Sequence, residues 1–208
     1  MNKLISGFYG RWNDFVRYHF LIQRKRRHNN VCIVCNNCVG AMMAHDLGLE
    51  FLSPTVNLWM SPKDYIKLIQ GLPDILKSGI VDITGDRNYP VGLLNGDITL
   101  HFLHYSSFEN AIDAWNRRSN KFSLNNAKFI FVEFDSPDFY ECLKVFDSFE
   151  NIDKVALLRH EYPNIKCGYI IPYKEKGKFQ ITDYCGWGGD RYYDRFDYKK
   201  YLLKILDD

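Results

Sequence analysis

Apolar runs that alternate with amphipathic stretches constrain the fold of this chain more than any other feature of its sequence. Residues 31–35 are wholly apolar, which is typical of a short strand buried on both faces of a sheet. Ser61, Pro62 and Asp64 mark a helix start, with a capping hydroxyl, a proline at the first helical position and an acid in the capping box. Because strands that alternate with helices form a sheet covered on both faces, we predict a mixed, mostly parallel α/β sheet with an antiparallel hairpin portion.

The remaining elements follow from the same patterns. Further strands are predicted over residues 55–60, 80–84, 89–94, 97–105, 128–134, 154–158 and 168–171. Helices are predicted over residues 40–47, 62–70, 108–118, 137–146 and 198–206. Asn95-Gly96 is a hairpin signal. Ligands of such folds lie at the carboxyl ends of strands, so a site is expected near residues 36–40, Met60, residues 104–107 or the loop after Phe134.

The formal net charge of +2 hides an uneven distribution. Residues 1–30 hold seven basic residues against one acid, a balance of +6, so residues 31–208 carry −4. Within the first segment, apolar side chains recur at the three- and four-residue steps of an amphipathic helix: Ile5, Phe8, Trp12, Val16 and Phe20. We therefore divide the chain into a basic amphipathic N-terminal helix, residues 1–30, and a single α/β domain, residues 31–208.

Three interpretations of this basic helix remain open. It docks its aromatic stripe on the protein's own core, or it lies in a membrane interface with the basic run 24–27 on anionic lipid, or it binds nucleic acid. We expect no nucleic-acid partner, because the basic run lacks interleaved recognition residues and the rest of the chain is net acidic.

Composition bounds the cellular setting. Six cysteines are too few for a disulfide-built fold, no apolar stretch reaches the length of a membrane span, and no signal-peptide cleavage site is evident. These features predict a cytoplasmic protein, with peripheral contact at the inner face of the membrane as the alternative that the basic helix leaves open.

An ordered series of short motifs runs through roughly residues 31–134, about half of the chain. It comprises Asn36-Asn37-Cys38-Val39-Gly40, Leu47-Gly48-Leu49, Ser53-Pro54-Thr55-Val56, Asp64-Tyr65-Ile66-Lys67, Tyr89-Pro90-Val91-Gly92, His101-Phe102-Leu103-His104-Tyr105 and Ala114-Trp115-Asn116-Arg117-Arg118. The series resembles a bacterial family of unknown function whose members are commonly labelled exopolysaccharide or capsule biosynthesis proteins. Ala41 stands where that family usually has a second glycine. The resemblance implies cytoplasmic work on cell-surface glycan assembly, and it implies no established reaction.

Cys38 and His104 are the candidate catalytic residues. Cys38 follows a strand at a predicted helix start, where the helix dipole and free amides favour a thiolate. His104 adjoins a capped helix start at which an anion could bind. The alternatives are a buried small cysteine in a tight turn and a satisfied structural histidine.

Six further residues are candidate substrate-binding positions: Asn36, Asn37, Asn57, Tyr105, Arg118 and Trp187. Asn36 and Asn37 would supply amide donors, or else bond their own backbone, and Asn57 is the polar residue inside an otherwise apolar predicted strand. Arg118 lies on the apolar side of its helix, where it would clamp a phosphate or carboxylate or pair with an internal acid. Trp187 stands among three glycines, and would stack on a sugar or simply belong to a turn.

The cysteines at three-residue spacing, Cys32, Cys35 and Cys38, invite a metal interpretation that the geometry disfavours. On a strand the first two point to opposite faces, and no second Cys or His pair supplies the other ligands of a zinc site. Residues 185–191 lack the lysine and hydroxyl of a phosphate loop and fit no dinucleotide fingerprint. We expect neither a metal nor a cofactor.

Two functional hypotheses remain. The first is a transferase of cell-surface polysaccharide assembly that acts on an activated sugar or acyl donor. The second is a non-catalytic glycan-binding or assembly factor at the cytoplasmic face of the membrane. Both take a sugar or glycan-related small molecule as ligand, and the sequence leaves the oligomeric state open.

Overall fold

Two sheets with helices around them make up the fold. The computed structural model describes residues 3–21, 30–172 and 180–203. The strands are β1 (Cys32–Cys35), β2 (Ile80–Asp82), β3 (Val91–Leu94), β4 (Ile98–His101), β5 (Ala127–Val132), β6 (Asp153–Leu158) and β7 (Gly168–Ile170). The α-helices are α1 (Lys3–Val16), α2 (Val39–Asp46), α3 (Pro62–Gly71), α4 (Phe108–Ser119), α5 (Phe139–Ser148) and α6 (Tyr198–Leu203).

The larger sheet is parallel and has the strand order β1-β5-β6-β7. Every residue of its inner strand β5 is buried, as expected for an apolar run covered on both faces. Phe129 and Phe131 point into one core cluster, with α3, α4 and α5, whereas Ile130 and Val132 point into a second cluster, with α2 and α6. The prediction of a mixed, mostly parallel α/β fold is confirmed.

The hairpin portion forms a separate antiparallel sheet of three strands, β2-β3-β4. Asn95 and Gly96 join β3 to β4 with φ values of 53° and 78°. Two consecutive left-handed residues give the turn that matches the twist of paired strands, and Asn-Gly is the pair that adopts it most readily. The predicted hairpin is confirmed.

The two largest errors in the predicted strands are residues 55–60 and the end of residues 97–105, both in segments that lead from one sheet towards the other. Residues 54–57 form a turn in which Asn57 has a φ of 64°, so the chain is not extended there. Only Trp59 pairs as a strand residue, through two 3.0 Å backbone hydrogen bonds with His101. Strand β4 ends at His101, and residues 102–105 leave the sheet instead of extending it.

The N-terminal arm is helical from Lys3 to Val16 and continues as a π-helical turn over Arg17–Leu21. Its polar side faces the protein: Asn13 and Arg17 are buried, and Arg17 forms ion pairs with Asp46 at 2.5 Å and with Asp194 at 2.6 Å. The aromatic stripe therefore does not pack on the core. The basic run 24–27 lies outside the described residues. No helix in the described ranges is long and apolar enough to cross a membrane.

Candidate functional site

A cavity of about 620 Å³ opens at the carboxyl ends of β1, β5 and β6, the edge at which α/β folds bind ligands. Four parts of the chain line it. They are the start of α2 with Asn37, Cys38, Val39 and Met42; Trp59, Leu103 and His104; the ends of β5 and β6 with Val132, Glu133, Phe134, Asp135 and Arg159; and Gln180, Ile181, Thr182 and Arg191.

Cys38 and His104 meet at this cavity, with Cys38 Sγ 3.2 Å from His104 Nε2. Cys38 is the N-terminal capping residue of α2. His104 comes from the turn after β4, which the Trp59–His101 backbone pair holds in place. Met60, the residue after Trp59, donates its backbone N–H to the carbonyl of Asn36 at 3.0 Å. Trp59 and Met60 therefore connect the end of β4 to the turn after β1.

Burial raises the pKa of the Cys38 thiol above its ordinary value, so the group is protonated at rest near neutral pH. The position at a helix start does not by itself produce a thiolate. His104 Nε2 is the base within reach, and proton transfer to it would create a thiolate beside an imidazolium. The carbonyl of Leu58, 3.9 Å from Cys38 Sγ, is a further acceptor for the resting S–H. This geometry would allow Cys38 to act as a nucleophile with His104 as its general base.

The two asparagines before Cys38 shape its turn. Asn36 is buried; its side-chain amide donates to the carbonyl of Val132 at 2.9 Å and accepts from the Val132 N–H at 2.8 Å. These bonds extend the β1–β5 pairing beyond the end of β1, and the Asn36 side chain does not line the cavity. Asn37 lines the cavity, and its Oδ1 accepts from the backbone N–H of Val39 at 3.0 Å.

Three of the other predicted binding residues form a group of their own, beside the carbonyl of Val56. The buried Arg118 donates through Nη1 to the Tyr105 hydroxyl at 2.6 Å and to this carbonyl at 3.4 Å. Tyr105 donates its own hydroxyl to the same carbonyl at 3.4 Å, and Asn57 follows Val56 in the turn. None of the three lines the cavity that holds Cys38. The guanidinium of Arg118 is therefore hydrogen-bonded within the protein, to the Tyr105 hydroxyl and to the Val56 carbonyl.

Trp187 lies against α1 and outside the wall of the cavity. Its backbone carbonyl accepts from Trp12 Nε1 at 3.1 Å, and its ring meets Tyr9 edge-on at a centroid distance of 4.7 Å. The indole is 53% exposed. The glycine-rich segment thus serves as a docking surface for the N-terminal helix.

Sequence reasoning missed a buried carboxylate at the end of β5. Glu133 is 8% exposed, and its Oε2 accepts from the backbone N–H groups of Arg159 and His160 at 2.6 and 3.1 Å. Its Oε1 lies 2.5 Å from His160 Nδ1, so one side chain holds the turn after β6 in place. Two acids, at 133 and 135, directly after an apolar run were the available signal, but the predicted strand included Glu133 and ended at residue 134.

An aromatic platform in the cavity wall was also missed. The Trp59 ring stacks on His101 with a centroid distance of 3.9 Å and an interplanar angle of 5°, and it lies nearly parallel to Phe134 at 5.7 Å. Trp59 and Phe134 both line the cavity. Burial and the charge of Arg87 lower the pKa of His101, which keeps its ring neutral in the stack. Flat aromatic surfaces of this kind suit the apolar face of a sugar ring.

The cysteines of β1 are separated as their spacing predicts. Cys32 belongs to one core cluster and Cys35 to the other, on opposite faces of the sheet. Burial raises the pKa of each thiol to about 12. Across residues 3–21, 30–172 and 180–203, no group of three or more His, Cys, Asp or Glu side chains is placed to hold a metal ion.

Comparison with known proteins covers both the arm and the α/β domain. A family model described as a domain of unknown function (DUF1919) matches residues 12–203. An uncharacterized protein of Haemophilus influenzae is 34% identical over 183 residues, which is 87% of this chain and 88% of that protein. On the extent of both matches, the chain belongs to the DUF1919 family of unknown function.

Proposed function

We propose that this protein is a transferase of cell-surface polysaccharide assembly in which Cys38 is the nucleophile and His104 the general acid and base. The observation that carries the proposal is the 3.2 Å separation of Cys38 Sγ and His104 Nε2 at the cavity. The glycan context rests on the resemblance to proteins labelled for exopolysaccharide or capsule biosynthesis. Of the two donor classes, an activated acyl donor suits a thiol nucleophile better than an activated sugar, because thiolates attack acyl carbonyl carbons readily.

The reaction proceeds in two transfers. His104 Nε2 removes the thiol proton, and the Cys38 sulfur attacks the carbonyl carbon of the donor to form a tetrahedral intermediate. The bond to the leaving group then breaks, His104 returns the proton to that group, and the acyl group remains on Cys38 as a thioester. A sugar hydroxyl next loses its proton to His104 while its oxygen attacks the thioester. The C–S bond breaks, and the sulfur takes the proton back.

The size and the lining of the cavity support this proposal. Its volume of about 620 Å³ falls within the range of about 300–1,000 Å³ of small-molecule sites. The Trp59–Phe134 surface would carry the ring of a sugar acceptor. Val39, Met42 and Leu103 add apolar surface to the wall, which also carries polar and charged side chains such as Glu133 and Arg159. The raised pKa of Cys38 requires a base during the attack, which is the role assigned to His104.

Acylation of the protein tests this proposal directly. The full chain is incubated with acetyl-coenzyme A and with p-nitrophenyl acetate, and the intact mass is measured before and after addition of a sugar acceptor. We expect the mass of one acyl group on the wild type and none on Cys38→Ala. His104→Ala should slow acylation by about 10²–10⁴-fold, the usual contribution of a general base.

Matched controls separate chemistry from folding. Cys185→Ala removes another partly buried thiol, and His45→Ala removes another partly buried imidazole, both outside the cavity wall. Both controls should be acylated like the wild type. Equal acylation of Cys38→Ala and the wild type would contradict the assignment of the nucleophile.

A second candidate function is a non-catalytic glycan-binding or assembly factor, and the protonated resting state of the Cys38 thiol favours it. A protonated Cys38 beside the Trp59–Phe134 surface is also a suitable wall for a saccharide that is held and not altered. A thermal-shift screen with nucleotide sugars, acyl donors and oligosaccharides distinguishes the two. Saccharide binding without acylation or turnover would favour this candidate over the transferase.

A further inference from the structure

The N-terminal helix turns an aromatic face to the outside of the protein. Five aromatic residues form it, with exposed fractions between 44% and 69%: Phe8, Trp12, Phe15, Phe20 and Trp187. We call them the aromatic face. Surfaces of soluble monomers carry single exposed apolar residues freely, but a contiguous aromatic group marks an interaction site.

The rings of the aromatic face are continuous with one another. Phe8 lies 6.4 Å from Trp187, Trp12 lies 6.2 Å from Phe15, and Phe15 lies 6.0 Å from Phe20, all as centroid distances. The hydrogen bond from Trp12 Nε1 to the carbonyl of Trp187 joins the first pair to the others. The face is therefore a single surface that spans α1, the π-helical turn and the glycine-rich segment.

The opposite side of the same helix fixes this orientation. Arg17 is 1% exposed and ion-paired with Asp46 and Asp194, while Asn13 accepts from the backbone N–H of Gly189 at 2.8 Å. A Cβ on Gly189 would lie 2.8 Å from the backbone nitrogen of Arg17, so the helix approaches that segment closely. An amphipathic helix on a soluble protein normally buries its apolar side, whereas this one buries Asn13 and Arg17 and leaves its aromatic rings exposed.

We propose that the aromatic face is a peripheral membrane-binding surface that inserts its rings into the headgroup layer of an anionic bilayer. Tryptophan and phenylalanine rings partition into that layer, and a basic segment beside them is attracted by anionic headgroups. The sequence supplies this charge. Residues 1–30 carry +6; Arg17 is neutralised by Asp46 and Asp194, and the exposed Arg11 on α1 together with the basic run 24–27, which comes next in the sequence, supplies the charge for the headgroups.

Charge also favours an anionic membrane over a second copy of the chain as the partner of the aromatic face. Two copies joined face to face would each contribute a net basic N-terminal segment, and like charges oppose association. An anionic lipid surface complements the same charge. The inference uses no residue assigned to the reaction, so it stands or falls independently of the proposed function.

Vesicle flotation with the full chain tests the proposal. Vesicles of phosphatidylcholine mixed with phosphatidylglycerol are compared with pure phosphatidylcholine vesicles, for the wild type and for a Phe8→Ser/Phe15→Ser/Phe20→Ser variant. We expect the wild type to float with anionic vesicles and the variant to lose about tenfold or more of this binding, because three rings no longer leave water. Neutral vesicles should bind the wild type far less.

The control carries the same number of changes at exposed apolar residues elsewhere: Val81→Ser, Leu124→Ser and Ile170→Ser, at positions that are 62%, 42% and 46% exposed. It should float like the wild type. Equal flotation of the wild type and the face variant would overturn the proposal. So would absence of binding to anionic vesicles, or a wild-type dimer that the face variant turns into a monomer while neither protein floats.

Tryptophan fluorescence gives a second readout that needs no variant. Trp12 and Trp187 belong to the aromatic face, whereas Trp115 is 1% exposed in the core. Anionic vesicles that contain brominated lipid should quench part of the wild-type emission and leave a protected fraction. No quenching on such vesicles would overturn the proposal even if the face variant failed to fold.

Discussion

Replacing Arg17 by methionine tests the buried ion network that docks the N-terminal helix. The guanidinium of Arg17 contacts Asp46 Oδ2 at 2.5 Å, Asp194 at 2.6 and 2.9 Å, and the Tyr193 hydroxyl at 2.9 Å. Burial alone would lower the pKa of Arg17, but the hydrogen bonds to Asp194 and Asp46 outweigh it and raise the pKa, so the cation is firmly held. Methionine keeps much of the side-chain volume and removes the charge together with its hydrogen bonds, including those to the Tyr193 hydroxyl and the Gly189 carbonyl.

The expected loss follows from what methionine would leave behind. The Asp46 side chain is 1% exposed and would be buried without its cation. Breaking a buried pair by removing one partner costs about 3–5 kcal/mol. For a chain of this size each kcal/mol lowers Tm by about 2–4 °C, so Arg17→Met should lower Tm by about 6–20 °C. Arg17→Met/Asp46→Asn, which removes both charges, should recover part of this loss.

Urea unfolding and hydrogen exchange measure the effect. Arg11→Met is the matched control, since Arg11 is exposed on the same helix and its replacement should change the free energy of unfolding by less than about 0.5 kcal/mol. Amide exchange within α1 should accelerate in Arg17→Met and remain slow in Arg11→Met. If the two variants unfold at the same urea concentration, the buried network does not hold the arm and the reasoning is refuted.

Three further predictions concern β1 and the residues that follow it. Asn36→Ala leaves the buried N–H and C=O of Val132 unpaired and should cost about 2–6 kcal/mol in urea unfolding, whereas an unchanged midpoint would contradict the bridge. Gly40→Ala places a Cβ 2.8 Å from that of Cys35, so overpacking should cost about 1–3 kcal/mol; an unchanged Tm would contradict this close contact. Burial raises the pKa of Cys32 and Cys35 from 9.0 to about 12, so the folded state holds both protons more tightly than the unfolded state. Stability that is full below pH 9 should fall as pH rises towards 12, and less steeply in a Cys32→Ala/Cys35→Ala protein; identical slopes would rule the thiols out.

Local chemistry made several elements predictable from the sequence. Ser61 accepts from the backbone N–H of Asp64 at 3.1 Å at the start of α3, and Ser107 accepts from Asn110 at 3.2 Å at the start of α4. The Asn95-Gly96 hairpin is of the same kind. In each case the partners lie within three residues, so the sequence pattern already contains the interaction.

The segment before α3 shows why other elements were not predictable. Residues 55–60 read as a strand because they are mostly apolar. Hydrogen bonds with Ser53 turn the chain instead: Thr55 donates its N–H to the serine hydroxyl at 3.2 Å, and Val56 donates to the serine carbonyl at 3.4 Å. Trp59 then pairs with a strand that begins 39 residues later, at Ile98. Propensity does not encode a long-range pairing of this kind.

The candidate site contains residues that local sequence patterns identify and contacts that only the long-range fold creates. Sequence reasoning selected Cys38 and His104 because each lies near the end of an element, yet the two are 66 residues apart and no local pattern brings them together. The partner of Arg118 could not be inferred either, because its helix position indicated burial and not the tyrosine at 105. Glu133 was missed because a buried acid is recognisable only once the turn that it binds is in place.

The C-terminal segment connects the two proposals physically. Arg191 lines the cavity, donates through Nη2 to the Tyr184 hydroxyl at 2.8 Å and lies 3.5 Å from Asp14 of α1. Residues 180–182 line the same cavity, and Gly189 receives Asn13 and Arg17. The segment that forms one wall of the site therefore also binds the N-terminal helix, which carries the aromatic face. A bilayer bound at that face would fix the orientation of the cavity relative to the membrane, so an acceptor held in the bilayer would approach Cys38 from a defined direction.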